Sequence, residues 1–68
     1  MGIKEIRAKG FEFFCNNGKM PTELLINGKD FRKLLDMKDA DMELTLESTY
    51  YDGLLVTIDN KINEFEVR

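Results

Sequence analysis

The last third of the chain alternates between apolar and polar residues. Met42, Leu44 and Leu46 are interleaved with Glu43, Thr45 and Glu47. Leu54, Val56 and Ile58 are interleaved with Leu55, Thr57 and Asp59, and Phe65 and Val67 with Glu64, Glu66 and Arg68. A period of two predicts half-buried strands with one wet face, and three in succession predict an antiparallel meander. Register then selects the first turn. A two-residue Asp52-Gly53 turn sets Leu46 opposite Asp59 and Glu47 opposite Ile58. A three-residue Tyr51-Asp52-Gly53 loop pairs Tyr50 with Leu54, Ser48 with Val56 and Leu46 with Ile58, and the apolar faces agree. A one-residue slip reverses every side chain, so the second register is expected, with Gly53 in a left-handed bulge position. The next turn, Asn60-Lys61 or Asn60–Asn63, keeps the same parity either way and stays open.

Ahead of the meander the period changes. Phe31, Leu34 and Leu35 fall at i, i+3 and i+4 and form one stripe, with Arg32, Lys33 and Asp36 facing away. Asn27 stands where a cap belongs, and Asp30 follows three residues later near the positive end of the helix dipole. A helix is predicted over about residues 28–37. Further back, Pro21 introduces a strand over Thr22–Ile26. Phe11–Cys15 reads as another, with Asn16-Asn17-Gly18 as the turn between them. Ile3–Lys9 either extends that strand, with Gly10 as a bulge, or forms a short helix; the strand is preferred. The expected architecture is α+β: a single antiparallel sheet of about five strands, with one helix on one face and a C-terminal three-strand meander.

With 68 residues this is one domain. A domain of that size buries only about 60% of its unfolded surface, so self-association or a partner is a natural source of extra stability. Cys15 is the only cysteine, which excludes an internal disulfide. The chain has no histidine, so zinc chemistry is not expected. The longest apolar runs are three residues, Leu24-Leu25-Ile26 and Leu54-Leu55-Val56, too short for a membrane span. The first residues lack the apolar core of a signal peptide, and Ile6 stands where a myristoylation signal has Ser or Thr. A lone thiol without an export signal fits a reducing cytoplasm.

Net charge is −3, but its distribution is lopsided. Residues 1–33 hold seven bases and four acids, and residues 34–68 hold three bases and nine acids. Such asymmetry steers association.

The candidate chemistry is sparse. Asp36, Asp39, Asp41 and Glu43 lack the central glycine of a calcium loop and read as a solvated helix-to-strand junction. Cys15 has no histidine to activate it and reads as a small hydrophobe at a strand end. No glycine-rich phosphate loop is present, since Asn16-Asn17-Gly18-Lys19 lacks the spaced glycines. Lys4, Arg7 and Lys9 near Phe11, Phe13 and Phe14 raise single-stranded nucleic acid, but a pI of about 4.8 opposes phosphate affinity. Catalysis, cofactors and metals are therefore not expected.

The segments Pro21–Asn27, Phe31 with Leu34-Leu35, Tyr51–Asp59 and Phe65–Val67 together resemble small phage and prophage proteins built from a strand, a helix and a "Gly-apolar-x-Val" hairpin. The resemblance spans about two-thirds of the chain and implies no catalytic residues. It implies a phage accessory or host-interacting protein.

The expected function is a non-catalytic module binding a protein partner or itself, through a sheet edge or the acidic meander face. Its candidate contacts are Glu43, Glu47, Tyr51, Glu64 and Glu66, with Tyr51 as the exposed tyrosine and Tyr50 on the apolar side. Two alternatives stand beside it: an acidic decoy imitating DNA phosphates, and a small homo-oligomeric structural protein.

Overall fold

The computed structural model describes residues 2–37 and 42–68. Along the chain these form α1 (Ile3–Asn17), β1 (Glu23–Ile26), α2 (Gly28–Met37), β2 (Met42–Leu44), β3 (Thr49–Tyr51), β4 (Leu54–Ile58) and β5 (Glu66–Val67). The strands join in one sheet of order β2-β3-β4-β1-β5. Both helices contribute to the same core: Ile6 of α1 and Leu34 of α2 pack with Leu24, Ile26, Tyr51, Leu54 and Phe65.

The α+β class holds, but the sheet is mixed rather than wholly antiparallel. β1 pairs in parallel with β4, placing Leu24 beside Val56 and Ile26 beside Ile58. Its other edge pairs antiparallel with β5. β1 is thus a central strand, and its three consecutive apolar residues Leu24, Leu25 and Ile26 are all buried. Burial on both faces is what a continuous apolar run provides for, where alternation provides for one face.

The expected meander is therefore interrupted. β5 does not pair with β4, because β1 lies between them. The chain from Asp59 to Phe65 is not a tight hairpin turn; it passes the start of α2 to reach the far edge. Asn60 Oδ1 accepts the Gly28 N–H at 2.8 Å. Asn27 Nδ2 donates to the carbonyls of Ile62 and Asn63. Asn27 also caps α2 as expected, its Oδ1 accepting the Asp30 N–H at 2.8 Å.

The β3–β4 register differs as well. Tyr51 pairs with Leu54 and Tyr50 with Leu55, leaving Asp52-Gly53 as a two-residue turn. Both turn residues have positive φ, 51° and 81°, which is the mirror-image geometry that suits the twist of a hairpin. The longer register rested on pairing Leu46 with Ile58, but the ladder does not extend that far. β2 is only three residues long, and Thr45 and Ser48 close a second hairpin, with the Thr45 N–H donating to the Ser48 carbonyl. Leu46 sits at the tip of that hairpin, 107% exposed.

Residues 3–17 form one helix in place of the expected strands. Ile3, Ile6, Gly10 and Phe13 recur at spacings of three and four and face inward, with Ile6 and Gly10 fully buried. Asn16-Asn17-Gly18 is the end of that helix rather than a hairpin turn. Gly18 adopts φ 73° and its N–H donates to the Phe14 carbonyl at 2.8 Å. Asp39 and Asp41 of the acidic junction lie outside the described residues.

Candidate functional site

Only part of α1 is used to hold the fold together. Beside its buried stripe runs a second one, Arg7, Phe11 and Phe14, separated by four and three residues. Phe11 is 69% exposed and Phe14 43% exposed. The chain leaving α1 places Met20, 65% exposed, next to them, and Pro21 beneath. Across from this wall stands the β3–β4 turn.

Between the two lies a groove of about 540 Å³. Its base is formed by Ile6, Gly10, Pro21 and Leu54, and its walls by Phe11, Phe14 and Met20. Gly10 of α1 faces Pro21, and a Cβ there would stand 3.5 Å from Pro21 Cγ, an ordinary van der Waals contact. Among the described residues the charged side chains lining the groove are Arg7 and Asp52, and they pair with each other. Arg7 Nε and Nη2 donate to the two carboxylate oxygens of Asp52 at 3.1 and 3.2 Å. This fork-to-carboxylate pair ties α1 to the β3–β4 turn across the rim. The groove is thus apolar and open, with one ion pair at its rim.

The acidic residues expected to form a contact face do not gather. Glu43 on β2 and Glu66 on β5 point to the sheet face opposite the helices, but from its two outer strands. The four intervening strand spacings separate them by about 19 Å. Glu47 is at the β2–β3 tip, and Glu64 lies in the loop before β5, near Glu5, Lys9 and Asp30. Tyr51 is fully buried, so its ring belongs to the core; the half-exposed tyrosine is Tyr50. This reversal follows directly from the one-residue difference in register.

On the open sheet face, Glu23 of β1 accepts hydrogen bonds from Arg68 Nε and from Thr57 Oγ1. The Arg68 hydrogen bond is the largest effect on the Glu23 carboxyl; desolvation opposes it, and with the Arg68 charge and the Thr57 hydrogen bond added the group is held below its ordinary value. Lys9 Nζ donates to the Phe65 carbonyl at 2.8 Å and lies 4.5 Å from the centre of the Phe65 ring. Two of the three bases considered for nucleic-acid binding, Arg7 and Lys9, thus hold partners inside the molecule.

Cys15 is exposed on the last turn of α1, not half-buried at a strand end. Among the described residues no three metal-ligating side chains converge, and no helix is long and apolar enough to cross a membrane. A period of two, in which Phe11 and Phe13 alternate as strand residues, does not reveal the groove. The i, i+3, i+4 recurrence of Arg7, Phe11 and Phe14, parallel to that of Ile3, Ile6 and Gly10, is the signal that marks it. No protein-family model, curated protein or solved structure matches this chain.

Proposed function

We propose that this chain is a small non-catalytic protein-binding module whose docking surface is the groove between α1 and the β3–β4 turn, and whose partner presents an apolar protein surface. The observation that carries the reading is the exposure of Phe11, Phe14 and Met20 around one concave site. Single exposed apolar residues are ordinary, but three converging on a groove form a contiguous patch of the kind that marks contact sites. The lining has two aromatic rings and a methionine, side chains enriched in interface centres.

The acidic residues are a weaker basis, because Glu43, Glu47, Glu64 and Glu66 are scattered over both edges, a hairpin tip and a loop. The segments that resemble phage and prophage proteins support an accessory protein that acts by contact. The lone thiol of Cys15 suits a reducing compartment such as the cytoplasm.

The test is a titration with 8-anilinonaphthalene-1-sulfonate, an anionic dye whose aromatic rings bind apolar surface, at a dilution where the chain sediments as a monomer. Wild-type protein should enhance the dye's fluorescence. Phe14→Ser and Met20→Ser should abolish the enhancement, and the Glu43→Gln, Glu66→Gln double variant should retain it. No enhancement from the wild type, or loss only in the Glu43→Gln, Glu66→Gln variant, overturns the groove as docking surface.

A further inference from the structure

We infer that Asn17-Gly18 is a site of spontaneous deamidation in the folded chain, and that Asn60 shields the second such pair, Asn27-Gly28, from the same reaction. The tripeptide Asn-Gly-Lys occurs at residues 17–19 and again at 27–29. Asparagine is a thermolabile residue, and a following glycine leaves its backbone nitrogen unobstructed by a Cβ. Local sequence makes the two sites nearly equal, so the fold decides between them.

The reaction is a ring closure. The Gly18 nitrogen gives up its proton and bonds to Asn17 Cγ. The Cγ–Nδ2 bond breaks, and the amide departs as ammonia with that proton. Water then opens the succinimide at either carbonyl, its hydroxyl going to the carbon and its remaining hydrogen to the ring nitrogen. The product is aspartate or isoaspartate. Closure first requires that the glycine N–H and the asparagine amide both be freed.

At Asn17 both groups are held within one exposed helix end. The Gly18 N–H donates to the Phe14 carbonyl at 2.8 Å, and Asn17 Nδ2 donates to the Phe13 carbonyl at 2.9 Å. A Cβ built on Gly18 would meet nothing within 4 Å, so the space beside it is open. Fraying of a helix end is among the smallest openings a native protein makes.

At Asn27 the same groups are tied to distant chain. The Gly28 N–H donates to Asn60 Oδ1, 32 residues away, at 2.8 Å. Asn27 Nδ2 donates to the Ile62 and Asn63 carbonyls and to the Asp30 carboxylate, while its Oδ1 accepts the Asp30 N–H. Freeing them means detaching the loop after β4 from the start of α2, a larger opening.

Modification at Asn17 has a structural cost. The new carboxylate loses the donor that held the Phe13 carbonyl. It also adds charge at the negative end of the helix dipole, where the last turn of α1 carries no base.

Tryptic cleavage after Lys9, Lys19 and Lys29 puts the two pairs on separate peptides. Mass spectrometry then reads both rates from one sample of the full chain, kept reduced at Cys15. In native buffer Asn17 should lose its amide at least about tenfold faster than Asn27, and in concentrated guanidinium chloride the rates should agree within about twofold. Asn60→Ala should speed the loss at Asn27 and leave Asn17 unchanged. Asn60→Asp keeps an acceptor for the Gly28 N–H and should retain the protection. Equal native rates overturn the inference. So does a native difference that persists in guanidinium chloride, because neighbouring residues would then set it. An Asn60→Ala chain that keeps its circular dichroism and protects Asn27 as well as the wild type also overturns it.

Discussion

The two helices lie over the same face of one sheet, yet their sequences do different work. α2 is capped by Asn27, carries an acid in its first turn, and buries Leu34 with Phe31 packed alongside. Its outward residues Arg32, Lys33 and Asp36 are charged. α1 begins at Gly2 without a side-chain cap, contains a glycine at mid-length, and presents two phenylalanines outward. Helix α2 also leaves apolar side chains outward, Leu35 at 38% and Met37 at 56%, but beside charged neighbours, whereas α1 gives up helix stability and gathers Phe11 and Phe14 with Met20 around one apolar groove. A small domain has little stability to spare, so such a stripe points to contact rather than to packing.

The contrast should appear first in core truncations. Leu34→Ala is expected to cost about 2–5 kcal/mol in urea denaturation. Phe11→Ala, measured at a dilution where the chain is monomeric, should cost under about 0.5 kcal/mol, as surface changes do. Equal losses would place Phe11 in the core and end the distinction.

Next come the caps. Asn27→Ala should cost about 1–2 kcal/mol, at the high end for an N-cap because the same amide also holds the carbonyls of Ile62 and Asn63. Thermal melts followed at the helix band measure it. A loss of only a few tenths would mean that the loop holds α2 without Asn27.

Helix α1 should respond in the opposite direction. Gly10→Ala should raise stability by about 0.5–1 kcal/mol, through helix propensity, because the added methyl meets Pro21 at ordinary contact distance. A loss of stability would show that α1 and Pro21 are packed too closely to admit it.

The smallest expected effect is electrostatic. Glu23 titrates lower in the folded chain than in the unfolded one, chiefly because Arg68 hydrogen-bonds its charged form. Its contribution is therefore present above the unfolded pKa and fades as pH falls through the folded one. Glu23→Gln should flatten that part of the acid limb in a stability-against-pH curve and leave neutral behaviour little changed. An unaltered acid limb would show that the pair contributes nothing to folding.

The same contrast explains what the sequence disclosed. α2 was legible to its ends because cap and period agree over residues 28–37, although of the expected stripe only Phe31 and Leu34 pack inward and Leu35 is exposed. β1 and β4 were legible as strands, but not as neighbours. Alternation reports which face a residue takes and says nothing about which strand lies beside it. The clue to β1's central place was its unbroken Leu24-Leu25-Ile26 run, which needs cover on both faces. Residues 3–17 were misread because Phe11, Phe13 and Cys15 lie two apart, and two periods compete in that segment. The helical one prevails through Ile6 and Gly10, whose burial against Phe65 and Pro21 is tertiary and invisible locally. The register of β3 with β4 failed for a related reason, since parity was extended through Leu46 beyond the point where the ladder ends. The groove inherits both errors, because it lies between the misread helix and the misregistered turn.

The most direct test of this account is whether the outer stripe of α1 is available for contact in the folded monomer. The wild type should enhance the fluorescence of 8-anilinonaphthalene-1-sulfonate, and Phe11→Ser, with unchanged far-ultraviolet circular dichroism, should lose most of that enhancement. No enhancement in the wild type, or equal enhancement in Phe11→Ser, would contradict it.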